Sequence, residues 1–238
     1  MAGNKRKGNA QRKSAPACAG KNIPYDQTRE VSWKKTMELI LIRHGETTWN
    51  KDGRVQGLSN IELSDVGLNQ AQKLALSIQD INIKAVYSSP LKRAYQTAQI
   101  INKMHHAPIY LEPGLMEMDQ GDFEGLTFQE LKACNKDFLQ RWIQDPAFVT
   151  MPNGESLAGL QKRAWSVVAE IIDKAENALI VSHSFTIAAI LCKIQNIGLS
   201  QFRKVCVGTA SKSVVRFQNG SALIDVLNDR THLDMDGL

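Results

Sequence analysis

The sequence is poor in the features that mark metal, redox and nucleotide chemistry. It has four cysteines in 238 residues, with no C-x-x-C spacing. It contains no Walker loop, no dinucleotide glycine fingerprint and no His, Asp and Glu pattern with zinc-ligand spacing. We therefore predict a reaction that needs no metal and no other cofactor. The cysteines are predicted to be reduced thiols of a cytosolic protein: Cys18, Cys134, Cys192 and Cys206.

Long apolar runs are also missing. No segment approaches the roughly 20 apolar residues of a membrane-spanning helix, and the first residues lack the apolar region of a secretory signal. We therefore predict a cytoplasmic chain that does not bind membranes.

Acidic residues are scarce at the start of the chain. Residues 1–36 carry nine basic and two acidic residues, a net charge of +7. The whole chain has a net charge of +5, so residues 37–238 carry −2. The basic pI therefore originates in this extension.

The extension has almost no apolar clustering, so we predict that residues 1–36 are disordered. An organellar transit peptide fits the absence of acid in residues 1–25, but helical amphipathicity is missing. Attraction to nucleic acid would be nonspecific. We favour a dispensable extension, and Met37, directly before the first strand, is a candidate translation start.

The rest of the chain alternates between strand and helix patterns, which predicts one α/β domain over residues 37–238. We expect a three-layer α/β/α sandwich with a mostly parallel sheet and helices on both faces. The predicted strands are 38–42, 84–88, 109–111, 177–182 and, near the end, 213–218 and 222–227. The predicted helices are 65–79, 90–104, 126–145, 155–174 and 185–195.

One predicted strand ends in Arg43-His44-Gly45. Open α/β folds bind ligands at the carboxyl edge of the sheet, and a neutral imidazole is a good nucleophile there. The Arg43 guanidinium suits phosphate oxygens, and Gly45 is expected to adopt a conformation that a β-carbon forbids. The alternative is a strand end whose histidine is merely structural.

A second predicted strand ends in His183, and a third leads into a helix that carries Arg93 near its first turn. Backbone N–H groups and the helix dipole favour an anion at that end. Two histidines and two arginines can therefore converge on one anion-binding pocket.

Five motifs in this order resemble the histidine phosphatase (phosphoglycerate mutase-like) superfamily. The resemblance extends from about residue 37 to about residue 226 and implies the phosphoglycerate mutase-like fold. The motifs are 43–50 (RHGETTWN), 54–57 (RVQG), 88–98 (SSPLKRAYQTA), 115–125 (LMEMDQGDFEG) and 182–184 (SHS).

The resemblance implies a role for each catalytic residue. His44 is the nucleophile that forms a phosphohistidine, and Arg43 and Arg93 clamp the nonbridging oxygens. His183 donates to the transferring group and is expected to be charged during transfer. Glu117 is the general acid.

As a general acid, Glu117 needs a raised pKa, for which crowding by Glu46 or Glu124 or partial burial are the expected causes. The alternative is a solvated loop carboxylate. The candidate substrate-binding residues are Asn50, Gln56, Gly57 and Ser184.

Several neighbouring residues have a structural explanation at least as good as a functional one. Thr47 and Thr48 are candidates for capping the next turn, and Trp49 for a half-buried position. Ser64 and Asp65 are typical of a helix N-terminus.

Within the superfamily, the sequence favours a phosphatase over a phosphoglycerate mutase, because it lacks a Glu-Arg-His-Tyr-Gly segment and the longer insertion after the acid. The acidic segment resembles those of broad-specificity phosphatases and α-ribazole-5′-phosphate phosphatases, except that Gln120 and Phe123 replace an aromatic residue and a Trp. We expect a small-molecule phosphate ester as substrate, no specific nucleic acid partner, and a monomer or homodimer. A catalytically idle protein-binding scaffold is the alternative from another class.

An insertion over about 126–151 is predicted to form a helical lid that selects the leaving group. Its aromatic residues would suit an alcohol that carries a ring, and ordinary helix packing is the alternative explanation. The residues in question are Phe138, Trp142, Phe148 and Met151.

Overall fold

The computed structural model describes residues 23–24 and 36–234, which contain one seven-stranded sheet in the order β1-β7-β6-β2-β5-β3-β4. Five of the described strands run in one direction, and β1 and β6 run in the other. The sheet is therefore mostly parallel. The strands are β1 Ile23–Pro24, β2 Met37–Arg43, β3 Ala85–Ser88, β4 Ile109–Leu111, β5 Ala178–Ser182, β6 Lys212–Gln218 and β7 Ser221–Asp229.

Seven α-helices connect these strands in the described part of the chain, with short 3-10 turns between them. The helices are α1 Thr48–Lys51, α2 Asp65–Leu76, α3 Lys92–Asn102, α4 Phe128–Cys134, α5 Lys136–Gln144, α6 Leu157–Asp173 and α7 Ser184–Ile194.

The central strands are apolar on both sides because helices cover both faces of the sheet. In β2, Ile40 and Ile42 face a cluster that contains residues of α2 and α3. Leu39 and Leu41 face the opposite cluster, which contains residues of α6 and α7. The period of two along a strand sends successive side chains to opposite faces. The predicted three-layer sandwich is confirmed.

The main strands and helices lie within about three residues of their predicted bounds. The predicted helical insertion is two helices, α4 and α5, which meet at Asn135. The one-turn helix α1 escaped prediction because four residues are too few to show a helical period.

Polar caps fix the helix starts close to the site. Thr47 caps α1, as predicted, and its side chain accepts a hydrogen bond from the Asn50 N–H. Ser64 caps α2 in the same way through the Gly67 N–H, again as predicted. These caps satisfy N–H groups that have no partner inside the helix.

The predicted disorder of residues 1–36 lies outside the described residues, except that Ile23–Pro24 pairs with β7 and Thr36 precedes β2. Cys18 also lies outside them, and the other three cysteines are free thiols. Among the described residues, no helix is long and apolar enough to cross a membrane.

Candidate active site

The site lies at the carboxyl edge of the parallel strands. His44 follows β2 and His183 follows β5, and these strands are paired in register with Arg43 opposite Ser182. β3 pairs with the other side of β5 and leads into α3, which carries Arg93. Neighbouring parallel strands therefore bring residues far apart in sequence to one edge.

A cavity of about 330 Å³ opens at this edge. It is lined by Arg43, His44, Asn50, Arg54, Val55, Gln56, Arg93, Glu117, Gln120, Phe123, Phe128, Leu131, Phe138, Leu139, Trp142, Met151, Ser184 and Phe185. Of the predicted site residues, His183 and Gly57 are absent from the lining.

His44 is almost fully buried, and its Nδ1 lies 2.7 Å from the carbonyl oxygen of Gly45. A carbonyl only accepts hydrogen bonds, so Nδ1 carries the proton of the neutral ring. Nε2 therefore keeps its lone pair. The backbone of His44 is held on both sides, since its N–H donates to Ser182 and its carbonyl accepts from Ala210.

The pKa of His44 lies well below its ordinary value because burial disfavours the charged ring and because Arg93 and Arg43 are close. The ring is therefore neutral at neutral pH. A neutral imidazole with a free Nε2 lone pair is the form that can attack phosphorus.

His183 lies beside His44, with ring centroids 5.2 Å apart and an angle of 58° between the ring planes. Its Nε2 is 2.7 Å from the Ser89 hydroxyl oxygen. Its Nδ1 is buried and has no hydrogen-bond partner among the described residues. Burial, followed by Arg93 and His44, holds the pKa of His183 well below its ordinary value.

Arg93 is fully buried and is aimed by backbone oxygens. Its Nη1 donates to Ser59 O at 2.7 Å, and its Nη2 donates to Gly57 O at 2.9 Å. Gly57 thus holds Arg93 rather than lining the cavity. Burial lowers the pKa of Arg93 to about 10, so the guanidinium stays charged at neutral pH.

Arg43 donates from Nη1 to Val207 O at 2.7 Å, and burial lowers its pKa. The Nε atoms of Arg43 and Arg93 are both buried without a hydrogen-bond partner in the described part of the chain. Buried donors normally have partners. Two cations with unused donors beside a neutral histidine form a site for a multiply charged anion such as phosphate.

Glu117 is 7% exposed and lines the cavity. Its carboxylate accepts from the N–H groups of Met118, Phe185 and Thr186 and from the Thr186 hydroxyl. Two of these N–H groups belong to the first turn of α7. Glu117 is therefore a buried and oriented carboxyl rather than a solvated loop residue.

The carboxylates expected to crowd Glu117 are bound elsewhere. Glu124 accepts from the N–H groups of Leu58 and Ser59, and Glu46 accepts from the Ser64 hydroxyl. Neither residue lines the cavity. Glu117 is the single carboxylate among the described residues that line it.

Asn50 and Gln56 both line the cavity, and Thr47 holds both side chains. The Thr47 backbone N–H donates to Asn50 Oδ1 at 3.1 Å, and the Thr47 hydroxyl donates to Gln56 Oε1 at 3.0 Å. Because these oxygens are engaged, the amide nitrogens are the groups left to donate to a ligand. Ser184, at the first position of α7, also lines the cavity.

The reason why glycine is needed at position 45 is a close contact between two segments of the main chain. Gly45 is not among the glycines with positive φ. A β-carbon built on it would lie 2.5 Å from the Gly67 carbonyl oxygen. A β-carbon is therefore excluded at Gly45, as predicted, but the cause is the packing of α2 against the loop after β2 and not a positive φ.

Arg163, which lies on α6, was not predicted as a functional residue. Its guanidinium donates to the carbonyl oxygens of Gly114, Met116 and Glu117 and to both carboxylate oxygens of Glu155. A basic residue on an amphipathic helix gives no local signal for such a contact.

The predicted lid contributes part of the cavity wall. Phe138, Trp142 and Met151 line the cavity, whereas Phe148 is 87% exposed and does not. The lid rings also pack on one another, with Phe138 and Trp142 stacked at 6.5 Å. The same side chains therefore line the cavity and pack the helices against one another.

At the carboxyl edge of its sheet, the α/β/α sandwich thus holds two buried histidines, the buried Arg93 and the half-buried Arg43, an arrangement that suits a phosphate group. The described residues contain no group of three His, Cys, Asp or Glu side chains that could hold a metal ion. The family model of the histidine phosphatase superfamily (branch 1) matches residues 39–230, and the chain belongs to that family.

Named relatives support a phosphatase. Phosphoserine phosphatase 1 of Hydrogenobacter thermophilus is 33% identical over 83% of this chain and 94% of that protein. The metal-independent phosphoserine phosphatase of Arabidopsis thaliana is 33% identical over 89% of this chain and 92% of that protein. The solved α-ribazole phosphatase of Shigella flexneri has a TM-score of 0.75 at 28% identity, over 82% of this chain and 97% of that one. The chain is a phosphatase of this superfamily.

Proposed function

We propose that the protein hydrolyses phosphate monoesters of small molecules through a phosphohistidine on Nε2 of His44. The observation that carries this proposal is the hydrogen bond from His44 Nδ1 to the Gly45 carbonyl. It leaves Nε2 unprotonated in a cavity whose two arginines have unused donors.

In the first step, Nε2 of His44 attacks phosphorus and the bond from phosphorus to the ester oxygen breaks. Arg43 and Arg93 stabilise the charge that develops on the nonbridging oxygens. Glu117 gives its proton to the departing oxygen, so the product is a neutral alcohol. The proton on Nδ1 stays bonded to Gly45, which stabilises the charge of the phosphorylated ring.

In the second step, water attacks phosphorus and the bond from phosphorus to Nε2 breaks. The Glu117 carboxylate accepts the water proton, inorganic phosphate leaves, and His44 is neutral again. The cycle consumes one water molecule and needs no cofactor. The name of the Arabidopsis relative supports a metal-independent reaction.

The intact site supports catalysis over an idle scaffold, because both histidines, Arg93 and Glu117 are buried together and the half-buried Arg43 lines the same cavity as His44. An α-ribazole phosphate remains a candidate substrate, supported by the likeness to the Shigella enzyme. Transfer of the phosphoryl group from His44 to a bound phosphoglycerate would make the enzyme a mutase. An assay with phosphoglycerate distinguishes mutase activity from hydrolysis. Cytoplasmic location and a monomeric or homodimeric state stay part of the proposal.

The phosphohistidine intermediate can be tested by mass spectrometry. The turnover of p-nitrophenyl phosphate is stopped rapidly, without acid, before the protein is analysed. We expect a phosphoryl group on the peptide that contains His44. His44→Asn should abolish labelling and reduce turnover by at least about a thousandfold, whereas the exposed His106→Asn serves as the matched control. If the purified, folded wild-type protein does not hydrolyse p-nitrophenyl phosphate, the proposal is wrong. If EDTA abolishes hydrolysis completely, the reaction is not metal-independent.

A further inference from the structure

Gln120 differs from the other amides that line the cavity. It is 7% exposed and lines the cavity, and its carboxamide makes no hydrogen bond to another described residue. The amides of Asn50 and Gln56, in contrast, are both bonded to Thr47. The two polar atoms of the Gln120 carboxamide are not among the enclosed side-chain atoms that lack a partner, so they open to the cavity, where a ligand or water can bond them.

The backbone around Gln120 is held by hydrogen bonds and close packing, which fixes the point where this side chain joins the cavity wall. The Gln120 carbonyl accepts from Phe123 N–H at 3.1 Å, and the next residue, Gly121, donates to Asp119 Oδ1 at 2.9 Å. A β-carbon on Gly57 would lie 2.8 Å from the Gln120 nitrogen, which shows how closely the two loops pack.

Gln120 lies on the leaving-group side of the cavity. The phosphate-binding groups come from β2 and α3, whereas Gln120 follows Glu117 by three residues in the segment that leads into the lid. The other lining residues of this side are mostly apolar: Phe123, Leu131, Phe138, Leu139, Trp142 and Met151. The aromatic wall is continuous, since Phe123 and Phe138 make an edge contact at 4.6 Å.

The cavity offers little to an ammonium group on the leaving alcohol. In the proposed first step Glu117 is protonated, so it offers no negative charge to the ammonium, and the amide oxygens of Asn50 and Gln56 are engaged by Thr47. Arg43 and Arg93 would repel such a group. A buried charge without a partner is strongly disfavoured.

A carboxylate on the alcohol would find one further cation, Arg54. That side chain is exposed, donates to Gly125 O at 2.8 Å, and interacts electrostatically with Glu130. Exposed and compensated charges contribute little to binding. Arg54 therefore gives a carboxylate much weaker support than the buried arginines give the phosphate.

We propose that Gln120 recognises the leaving group, and that the enzyme selects esters of uncharged alcohols that carry a hydroxyl or amide group and an apolar or ring face. This inference rests on the proposed phosphatase function and names its substrate class. It separates this chain from an enzyme adapted to the zwitterionic alcohol of phosphoserine, the substrate named for two of its relatives.

Three esters of matched size provide the first test: glycerol 3-phosphate, 3-phosphoglycerate and O-phosphoserine. All are primary three-carbon esters, with a neutral, an anionic and a zwitterionic leaving group. We expect kcat/KM to be at least about tenfold higher for glycerol 3-phosphate than for phosphoserine. A preference for phosphoserine would overturn the inference, and a preference for 3-phosphoglycerate would point to Arg54 instead and also overturn it.

Gln120→Leu provides the second test, because leucine keeps the volume and removes the hydrogen bonds. We expect kcat/KM for glycerol 3-phosphate to fall about 5- to 100-fold, with phenyl phosphate, which has no further polar group, changed less than about twofold. The exposed Gln129→Leu is the matched control.

The outcomes separate the two proposals. Failure of the wild-type protein to hydrolyse phenyl phosphate would defeat the phosphatase function itself. If the wild-type protein hydrolyses phenyl phosphate, but Gln120→Leu lowers kcat/KM equally for glycerol 3-phosphate and phenyl phosphate, only the proposed role of Gln120 is wrong. Gln120→Asn, which retains the amide on a shorter side chain, should recover part of the glycerol 3-phosphate activity.

Discussion

The guanidinium of Arg163 donates from Nη2 to the main-chain oxygen of Glu117 at 2.8 Å. The same side chain binds the carbonyls of Gly114 and Met116 at 2.8 Å each. Glu155 holds the guanidinium from the other side, with Nε to Oε1 at 2.8 Å. Arg163 therefore fixes the main chain that carries the proposed general acid, without touching the cavity.

Arg163→Lys should impair the acid step more than the phosphate site. A lysine carries the charge but cannot make the planar set of five hydrogen bonds. We expect kcat for alkyl phosphates, which need a proton, to fall at least about tenfold, and kcat for p-nitrophenyl phosphate to fall less than about threefold. Rates across esters of graded leaving-group pKa would show this, with the exposed Arg141→Lys as control. A uniform loss across the series would mean that Arg163 has only a general structural role.

Glu117→Gln should show the same dependence on the leaving group, but more strongly. Glutamine preserves the size of the side chain and cannot donate an acidic proton. Alkyl phosphates should slow by about 100-fold or more, while p-nitrophenyl phosphate should slow by about tenfold or less. Equal losses on the two classes would show that Glu117 is not the proton donor.

Ser89→Ala tests how the His183 ring is held. The Ser89 hydroxyl oxygen accepts from Leu91 N–H at 3.3 Å and lies 2.7 Å from Nε2 of His183, and we infer that the hydroxyl donates to this nitrogen. Nδ1 then carries the ring proton, and we propose that it donates this proton in a hydrogen bond to a phosphoryl oxygen of the bound ester. We expect kcat to fall about tenfold with little change in KM. Imidazole ¹⁵N chemical shifts of His183 should report a change of tautomer, and an unchanged tautomer would contradict this account.

The pH dependence of stability follows from the buried histidines. Burial is the main reason why the pKa values of His44 and His183 lie well below 6.5 in the folded state. An unfolded chain has histidine pKa values near 6.5, so below that pH the unfolded state binds more protons than the native state. The free energy of unfolding should therefore decrease as the pH falls from about 7.5 to about 5.5.

Urea unfolding in phosphate-free buffer at several pH values would measure this slope. His105 and His232, whose pKa values are also lowered mainly by burial, act in the same direction. His183→Gln should therefore reduce the slope without abolishing it. A free energy of unfolding that rises on acidification over this range would contradict the neutral state of these rings.

Much of the fold could be predicted from local pattern. The apolar strands, the amphipathic helices and the caps at Thr47 and Ser64 each depend on neighbours within a few residues. The ends of β2 and β5 could be expected to meet because parallel strands share one carboxyl edge. The predicted His44, Arg43, Arg93 and Glu117 do lie together on the described cavity.

Other parts depend on contacts across long sequence separations, for which the chain offers no local signal. Arg163 reaches Glu117 across 46 residues, and His183 reaches Ser89 across 94. The close approach of Gly45 to Gly67 is likewise invisible in the sequence, and it corrected the reason given for that glycine.

The sequence by itself determined the fold class, the family and the residues that we propose for the reaction, because these follow from periodicity and from short ordered motifs. Tertiary structure alone decided the protonation and direction of those residues. The tautomer of His44 depends on the Gly45 carbonyl, and the lowered histidine pKa values depend on burial beside Arg93. It also decided that Gln120 faces the cavity without a partner, since burial and hydrogen bonding belong to the packed molecule and not to the chain.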